Sequence, residues 1–262
     1  MDINLSNKNA LVCGSSQGLG LATALELSRL GANVILFARN EERLLKAVKT
    51  LDISQGQQHQ IIVADFNDPA EVKKVVTDFL QKGNTIQILV NNTGGPKGGN
   101  VTDAQPEEFI NAFNQHLINN QLLVQEVLPG MKATGYGRIV NIISISVKQP
   151  IAGLAVSNTI RGAVASWSKT LANELGPFGI TVNNLLPGYT RTARYQSIVD
   201  NKLKAGKQTL EEIENEFVSQ IPLGRIGKPE EFGAAAAFLC TPAAAYITGI
   251  NLPVDGGRLQ SM

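Results

Sequence analysis

The sequence has little cysteine, little net charge and no long hydrophobic run, and each shortage excludes a class of protein. Two cysteines in 262 residues are too few for a disulfide framework and fit no metal-binding spacing. A formal net charge of +1 gives no basic surface for nucleic acid. The longest apolar run, residues 232–240, is too short to cross a bilayer. No secretory signal is visible near Asp2, so we expect a cytoplasmic protein with no metal, membrane or nucleic-acid partner.

The chain shows instead a regular alternation of apolar strands and amphipathic helices. Its continuous Val/Ile/Leu runs, such as residues 34–37, are typical of strands buried on both faces of a parallel sheet. The pattern predicts an α/β fold over residues 1–262, a single-domain Rossmann architecture with a doubly wound, seven-stranded parallel sheet and helices on both faces. The predicted strands are 9–13, 33–38, 60–64, 86–91, 138–143, 180–185 and 249–254, and the predicted helices are 18–30, 41–51, 69–81, 106–133, 155–176 and 229–240.

Two irregular segments interrupt this alternation. One is the glycine-rich stretch 93–105, and the other is the polar stretch 189–226, which is predicted to hold a short helix near 209–220. Both follow strands at their carboxyl ends, where open α/β sheets bind ligands. We expect 189–226 to be the substrate loop.

Three glycines between the first predicted strand and the first predicted helix indicate a phosphate site. Gly14, Gly18 and Gly20 would let the backbone approach an anion closely, and the helix that follows would point its N–H groups at it. Their Gly-xxx-Gly-x-Gly spacing resembles the nucleotide-binding loop of the short-chain dehydrogenase/reductase family.

Further segments are similar to that family and extend the resemblance over nearly the whole chain. They are residues 91–94 (Asn-Asn-Thr-Gly), Pro187-Gly188 with the two threonines that follow, and residues 246–257. The resemblance implies a dinucleotide cofactor held by the glycine loop, the ends of several strands and one helix. The residues so implied are Gly14, Ser16, Gln17, Gly18, Leu19, Gly20, Arg39, Asp65, Phe66, Asn91, Thr93, Gly94, Arg161, Pro187, Gly188, Thr190 and Thr192.

The residue that closes the second predicted strand bears on which nicotinamide cofactor binds. A carboxylate there would accept a hydrogen bond from a ribose hydroxyl, whereas Arg39 can grip a 2′-phosphate. This favours NADP(H), with NAD(H) as the alternative, because Gln17 lacks the positive charge often found in the loop of NADP-preferring relatives.

The catalytic positions depart from the family pattern. The resemblance implies an Asn, a Ser, a Tyr and a Lys, but only Ser144 matches; the other three positions hold His116, Ser157 and Arg161. A serine hydroxyl is a weaker acid than a phenol, and a guanidinium cannot relay a proton. His116, with an ordinary pKa near 6.5, could act as a proton relay through water and Ser157, or it could simply fill space in a partly buried helix.

Other side chains could serve near the same site, and each has a structural interpretation as well. Tyr189 could supply a phenol or simply pack in the substrate loop. Lys148 could bind an anionic substrate or be a solvated loop charge. His59 lies in a polar run and is expected to be exposed.

Two functions remain open. The first is an NADP(H)-dependent oxidoreductase that reduces a small-molecule carbonyl, such as a 3-oxoacyl thioester, or oxidises the matching alcohol; it resembles β-ketoacyl-carrier-protein reductases and uses an altered proton donor. The second is a catalytically impaired dinucleotide-binding protein that acts as a sensor or partner subunit. The resemblance also implies a homotetramer or homodimer that pairs through helices 106–133 and 155–176.

Overall fold

The computed structural model describes residues 1–261, and its centre is one parallel sheet of seven strands. The predicted fold class is confirmed, and every predicted strand is found with ends within two residues of the expectation. The strands are β1 (Asn9–Cys13), β2 (Asn33–Ala38), β3 (Gln60–Val63), β4 (Ile88–Asn91), β5 (Gly137–Ile142), β6 (Ile180–Pro187) and β7 (Asn251–Val254).

The strand order is β3-β2-β1-β4-β5-β6-β7, so the chain first moves outward from β1 on one side and then from β4 on the other. Strand β1 pairs in parallel with both β2 and β4. The loops that follow β1 and β4 therefore diverge and leave a crevice at the carboxyl edge of the sheet, where ligands bind in folds of this class.

Helices cover both faces of the sheet because alternate strand residues point to opposite sides. Ala10 and Val12 pack with Phe232 on one face, whereas Leu11 and Cys13 belong to the core on the other. The helices are α1 (Gly18–Arg29), α2 (Glu41–Val48), α3 (Pro69–Gln81), α4 (Pro106–Phe113), α5 (Asn119–Thr134), α6 (Ala155–Leu175), α7 (Ala193–Lys204), α8 (Leu210–Val218) and α9 (Pro229–Leu239).

The helix predicted over 106–133 is interrupted by a π-helical turn, Asn114–Ile118, between α4 and α5. A π turn adds a residue to one helical turn and shifts the side chains that follow it around the helix axis. His116 lies in this turn and is buried. The interruption therefore decides where the imidazole points.

The segment 189–226 holds two helices, α7 and α8, rather than one short helix in a polar loop. Thr192 caps α7, and Thr209 forms a capping box with Glu212 at the start of α8. The two helices enclose a small apolar core of their own, which consists of Tyr195, Val199, Ile213, Phe217, Ile221 and Ile226. We refer to residues 189–226 as the lid.

The expectation that His59 is exposed is wrong. Its Nδ1 accepts from the Val34 N–H at 3.1 Å, and its Nε2 lies 2.9 Å from the Asp52 carbonyl oxygen. The imidazole is half-buried because it links the start of β2 to the loop that follows α2. None of the helices within residues 1–261 is long and apolar enough to cross a membrane.

Candidate active site

The glycine loop between β1 and α1 is held against the end of β4. The Asn92 amide donates to the carbonyl oxygens of Cys13 and Gly14, at 3.3 and 3.2 Å. Gly14 has a φ of +58°, and a Cβ there would lie 2.7 Å from the Asn92 carbonyl oxygen. Gly18 also lies in the left-handed region, at +63°. Only glycine fits at Gly14, and the result is a bare backbone cradle in front of the sheet.

The first turn of α1 points its N–H groups into this cradle. Gln17 is the N-cap residue and makes no capping side-chain hydrogen bond within the described chain. The first helical hydrogen bond is donated by Leu21, so the N–H groups of Gly18, Leu19 and Gly20 are not used within the helix. Together with the positive end of the helix dipole, they suit a phosphate. Ser16 lies half-buried beside them.

Two guanidinium groups lie near the glycine loop and the end of β2. Arg39 follows β2, and its Nη1 lies 4.0 Å from Asp65 Oδ2 with the side chain 73% exposed. Arg43, one turn into α2, donates to Gln17 Oε1 at 3.3 Å. The sequence analysis found Arg39 but missed Arg43. Gln17 has no charge itself, but it holds a positive charge at the glycine loop.

The loop after β3 is ordered by its own polar contacts. Asp65 accepts from the backbone and side-chain N–H groups of Asn67, at 3.0 and 2.8 Å. The Phe66 ring packs against Phe37, and its carbonyl oxygen accepts from the Asn119 amide at 2.7 Å. This loop lies beside Arg39 at the carboxyl edge of the sheet.

A row of buried amides runs across four strands beneath the site. Asn91 donates to Asn141 at 2.8 Å, Asn141 donates to Asn184 at 3.0 Å, and Asn184 donates to Asn251 at 2.8 Å. Asn91 Oδ1 is buried and has no partner among the described residues. Asn91 was expected to contact the cofactor, but its amide nitrogen is committed to this row. These hydrogen bonds keep neighbouring strands aligned at the ends that carry Thr93 and the catalytic positions.

His116 is 2% exposed, and its Nδ1 lies 2.5 Å from Thr93 Oγ1. Its Nε2 has no hydrogen-bond partner within residues 1–261. Burial, with a smaller effect from the Arg161 charge, lowers the pKa of His116 to about 2. The imidazole is therefore neutral at physiological pH, which corrects the expectation of an ordinary pKa near 6.5. Thr93 is committed to this pair, and Gly94 lies exposed beside it.

Ser144 lies directly beyond β5 and caps the short helical turn Ile145–Val147. Its Oγ accepts from the Ser146 N–H at 3.1 Å, which leaves its own hydroxyl proton available. The side chain is half-buried. Ser144 can therefore donate a hydrogen bond to a substrate oxygen in front of the sheet.

Ser157 and Arg161 lie one turn apart on α6, on the same side of the helix. Ser157 is half-buried. Arg161 is 8% exposed and donates from Nη1 to the Ile142 carbonyl oxygen at 3.1 Å. Burial lowers the pKa of Arg161 to about 10, so the guanidinium remains charged at neutral pH.

The segment after β6 faces the glycine loop from the other side of the crevice. The Gly188 N–H donates to the Val254 carbonyl oxygen at 3.0 Å, and the Thr190 hydroxyl donates to the Gly188 carbonyl oxygen at 3.4 Å. A Cβ at Gly18 would lie 3.8 Å from the Thr192 methyl group, so the two sides approach van der Waals contact. Pro187 ends β6 at the base of this segment.

The other candidate donors are placed at the lid and at the surface. Tyr189 packs against Phe217 with ring centroids 4.5 Å apart, and its hydroxyl accepts from Arg258 at 3.0 Å. Lys148 is exposed. Arg258 is a second residue that the sequence analysis missed, since it lies in the tail beyond the motif of residues 246–257.

Neither thiol has the surroundings of a reactive cysteine. Cys13 and Cys240 are both buried without exposure, and burial raises the pKa of both, that of Cys240 to about 12. Over residues 1–261, no three His, Cys, Asp or Glu side chains come together as metal ligands do.

The chain is similar in sequence to a known protein family and to its members. Residues 14–258 match the profile of the family described as enoyl-(acyl carrier protein) reductase. The chain is 30% identical over 260 residues to the NADPH-dependent reductase BacG of Bacillus subtilis, covering 98% of this chain and 100% of that protein. It is 32% identical over 259 residues to the 3-oxoacyl-(acyl-carrier-protein) reductase FabG of Pseudomonas aeruginosa, covering 99% and 100%.

A solved structure shows the same similarity to reductases. The L-sorbose reductase from Gluconobacter frateurii, complexed with NADPH and L-sorbose, superposes with a TM-score of 0.94 at 30% identity, and the match covers 100% of both chains.

Proposed function

The chain belongs to the short-chain dehydrogenase/reductase family, and we propose that it is an NADPH-dependent oxidoreductase that reduces a ketone. The observation that carries this proposal is the crevice itself: a backbone phosphate cradle at one end and a half-buried Ser144 at the other. Reductases dependent on NADPH are among its relatives at about 30% identity over the whole chain.

The residues present fit a phosphorylated dinucleotide. The cradle at Gly14, which a Cβ would fill, and the N–H groups at the start of α1 suit the pyrophosphate. Arg39 and Arg43 suit the 2′-phosphate, and Arg161 has donors for ribose hydroxyls. Thr190 and Thr192 would close the nicotinamide side. When bound, NADPH supplies the hydride that reduces the carbonyl carbon.

The proton-donor arrangement is the altered part of this proposal. Ser144 donates a hydrogen bond to the carbonyl oxygen and keeps its proton, and Ser157 relays from water the single proton that the alkoxide takes up. Arg161 remains charged and stabilises the developing negative charge, but it does not exchange protons. His116 is neutral and positions Thr93 rather than serving as an acid. The loss of a well-matched general acid costs roughly 10²–10⁴ in rate, so we expect slow turnover.

The substrate is proposed to enter between the lid and residues 93–105. Four of the six residues 94–99 are glycines, and a ketone such as a 3-oxoacyl thioester fits the relationship to 3-oxoacyl reductases. The Ser-xxx-Arg arrangement at Ser157 and Arg161 would then mark an atypical subgroup of the family.

A homo-oligomer is part of the same proposal. Ile110 and Phe113 leave apolar surface on α4, with exposed fractions of 58% and 38%. Two or four chains that pair through α4, α5 and α6 would cover this surface. Light scattering of the purified protein tests it, and a monomer at micromolar concentration would contradict it.

A second candidate function is a dinucleotide-binding sensor or partner subunit without turnover. It is favoured by one observation, the absence of a phenol and a lysine at the positions of Ser157 and Arg161. Such a protein would keep its affinity for NADPH and reduce nothing.

The experiment combines calorimetric titration with NADPH and a scan of ketones and 3-oxoesters. We expect NADPH binding and turnover above that of Ser144→Ala. Binding without turnover would support the second candidate, and no binding would contradict both. A triple variant, Ser157→Tyr, Arg161→Lys and His116→Asn, is expected to raise turnover if the remainder of the site is intact.

A further inference from the structure

The tail that follows β7 folds back onto the lid and carries Arg258 with it. Asp255 holds the turn, since its carboxylate accepts from the N–H groups of Gly257 and Leu259 at 2.9 and 2.7 Å. The Leu223 N–H donates to the Gly256 carbonyl oxygen at 3.2 Å. Hydrogen bonds of the backbone before and after Arg258 therefore fix its position.

The Arg258 guanidinium is fixed by neutral neighbours. Its Cζ lies 3.9 Å from the centroid of the Tyr189 ring, and Nη2 donates to the Tyr189 hydroxyl and to Gln220 Oε1, each at 3.0 Å. Nε also donates to Gln220 Oε1, at 3.3 Å. An arginine that stacks on an aromatic ring and bonds a neutral amide is oriented without losing its charge.

No carboxylate within residues 1–261 forms an ion pair with Arg258, and Nη1 makes no hydrogen bond in that part of the chain. The side chain is half-buried, so its charge is only partly solvated. A half-buried charge with unused donors is well suited to an incoming anion.

Arg258 lies between the lid and the catalytic strand end. Tyr189, on which it stacks, follows the Pro187-Gly188 segment directly. Leu259 packs in the cluster that contains Ile145, the residue after Ser144. Arg258 is therefore placed against the lid, and its neighbour Leu259 against the cluster beside the strand end that carries Ser144.

Three further positive side chains lie on segments that border the proposed entrance. Arg194 on α7 reaches the Pro96 carbonyl oxygen at 3.5 Å, and Lys97 and Lys148 are exposed on the facing loops. Two acidic side chains of this region are engaged: Glu214 pairs with Arg191 on the lid at 3.3 Å, and the Asp255 carboxylate is used by its own turn.

From these observations we propose that Arg258 binds an anionic group of the substrate, a carboxylate or a phosphate, so that the natural ketone is a negatively charged one. This inference rests on the proposed ketone reduction, which it makes more specific. A charge-assisted hydrogen bond from a pre-oriented guanidinium is worth about 10- to 100-fold in kcat/KM.

The test uses two matched pairs of ketones: acetoacetate against methyl acetoacetate, and dihydroxyacetone phosphate against dihydroxyacetone. We expect the full-length protein to prefer the charged member of at least one pair, and the preferred pair identifies carboxylate or phosphate. Arg258→Met should remove about 10- to 100-fold of kcat/KM for that member, chiefly through KM, and change the neutral member less than about 2-fold. Arg258→Lys should recover part of the loss.

Lys204→Met is the matched control, because it removes one exposed positive charge from the far end of α7. It should leave both pairs unchanged. If Arg258→Met lowers charged and neutral substrates equally, or if the wild-type protein prefers neither charged member, the proposal is overturned. Thermal unfolding and NADPH affinity of Arg258→Met show whether the lid is intact. Tyr189→Phe, which keeps the ring, should lose less than Arg258→Met.

A binding arm separates this inference from the proposed function. Acetoacetate and dihydroxyacetone phosphate are titrated into the protein saturated with NADP⁺ and followed by calorimetry. Anion binding that Arg258→Met abolishes supports the inference even if no ketone is reduced. Turnover of ketones with no Arg258-dependent anion binding contradicts the inference and leaves the reductase intact.

Discussion

Removing Arg39 or Arg43 is expected to weaken NADPH binding and leave NADH binding unchanged. The two cofactors differ only in the 2′-phosphate, so a residue that contacts this group affects one of them alone. Arg39 and Arg43 approach the adenosine end from the end of β2 and from α2. The quantity that tests them is the ratio of the two dissociation constants.

The expected loss of NADPH affinity follows from the exposure of the arginine side chain and from the charge of the 2′-phosphate. The Arg39 side chain is 73% exposed, so the surrounding dielectric is close to that of water. Two unit charges 4 Å apart in water attract by about 1 kcal/mol, and salt screens part of the phosphate's additional charge. We therefore expect about 5-fold weaker NADPH binding for Arg39→Ala and for Arg43→Ala, and about 25-fold for the double variant if the two are additive. The effect should shrink as ionic strength rises.

Calorimetric titration of NADPH and NADH into each variant measures the ratio. Lys46→Ala is the control, since Lys46 also lies on α2 but pairs with Glu42 at 2.6 Å. Gln17→Ala should lower the NADPH preference in the wild-type background and not in Arg43→Ala, because Gln17 acts through Arg43. Equal losses for both cofactors, or a Lys46→Ala effect equal to that of Arg43→Ala, would refute the reasoning.

Three further perturbations test other parts of the structure. Gly14→Ala places a Cβ in the phosphate cradle at positive φ, so we expect a loss of about 1–3 kcal/mol in unfolding free energy and no NADPH binding. The control Gly162→Ala, in open space on α6, should not destabilise the fold, and thermal melting and calorimetry check both variants. His116 takes up a proton only near pH 2 in the folded protein but below about pH 6.5 in the unfolded chain, so lowering the pH between these values lowers the free energy of unfolding. Between pH 7.5 and 5.0 the wild type should lose about 2 kcal/mol more than His116→Asn. Equal losses in denaturant titrations would show that burial does not hold the imidazole neutral. Asn141→Ala leaves two buried amides of the strand row without a partner and should cost about 2–4 kcal/mol, whereas Asn251→Ala, at the end of the row, should cost less than half as much in the same titration.

The sequence predicts best the features that are set by regular patterns and short segments of the chain. The strands are continuous apolar runs that alternate with helices, and this pattern predicts a doubly wound parallel sheet with a ligand crevice at its carboxyl edge. The glycine loop is equally readable because Gly14 needs a positive φ and a close backbone approach. These features depend on short segments of chain and on backbone geometry.

What the sequence does not show depends on contacts between distant segments. The π turn at residues 114–118 carries no local signal, yet it buries His116 and removes its ordinary pKa. Helix α7 is polar over most of its surface and is stabilised by the small core that it shares with α8. Arg43 and Arg258 gain their positions from Gln17 and Tyr189, which lie far from them along the chain.

Two of the three replaced positions, His116 and Arg161, are coupled electrostatically. Arg161 brings a buried charge next to the imidazole, and both burial and this charge oppose protonation of His116. A lysine and a phenol in place of Arg161 and Ser157 would meet a buried, neutral ring whose Nδ1 is already used by Thr93. A single reversion therefore leaves its new side chain without a matching partner, and only a coordinated change at all three positions rebuilds a proton path. By contrast, the glycine cradle and Arg39 lie at the other end of the crevice and depend on none of these residues. The proposed dinucleotide binding therefore rests mainly on the cradle and Arg39, with Arg161 adding donors for the ribose hydroxyls, and we expect it to outlast a loss of the proposed chemistry.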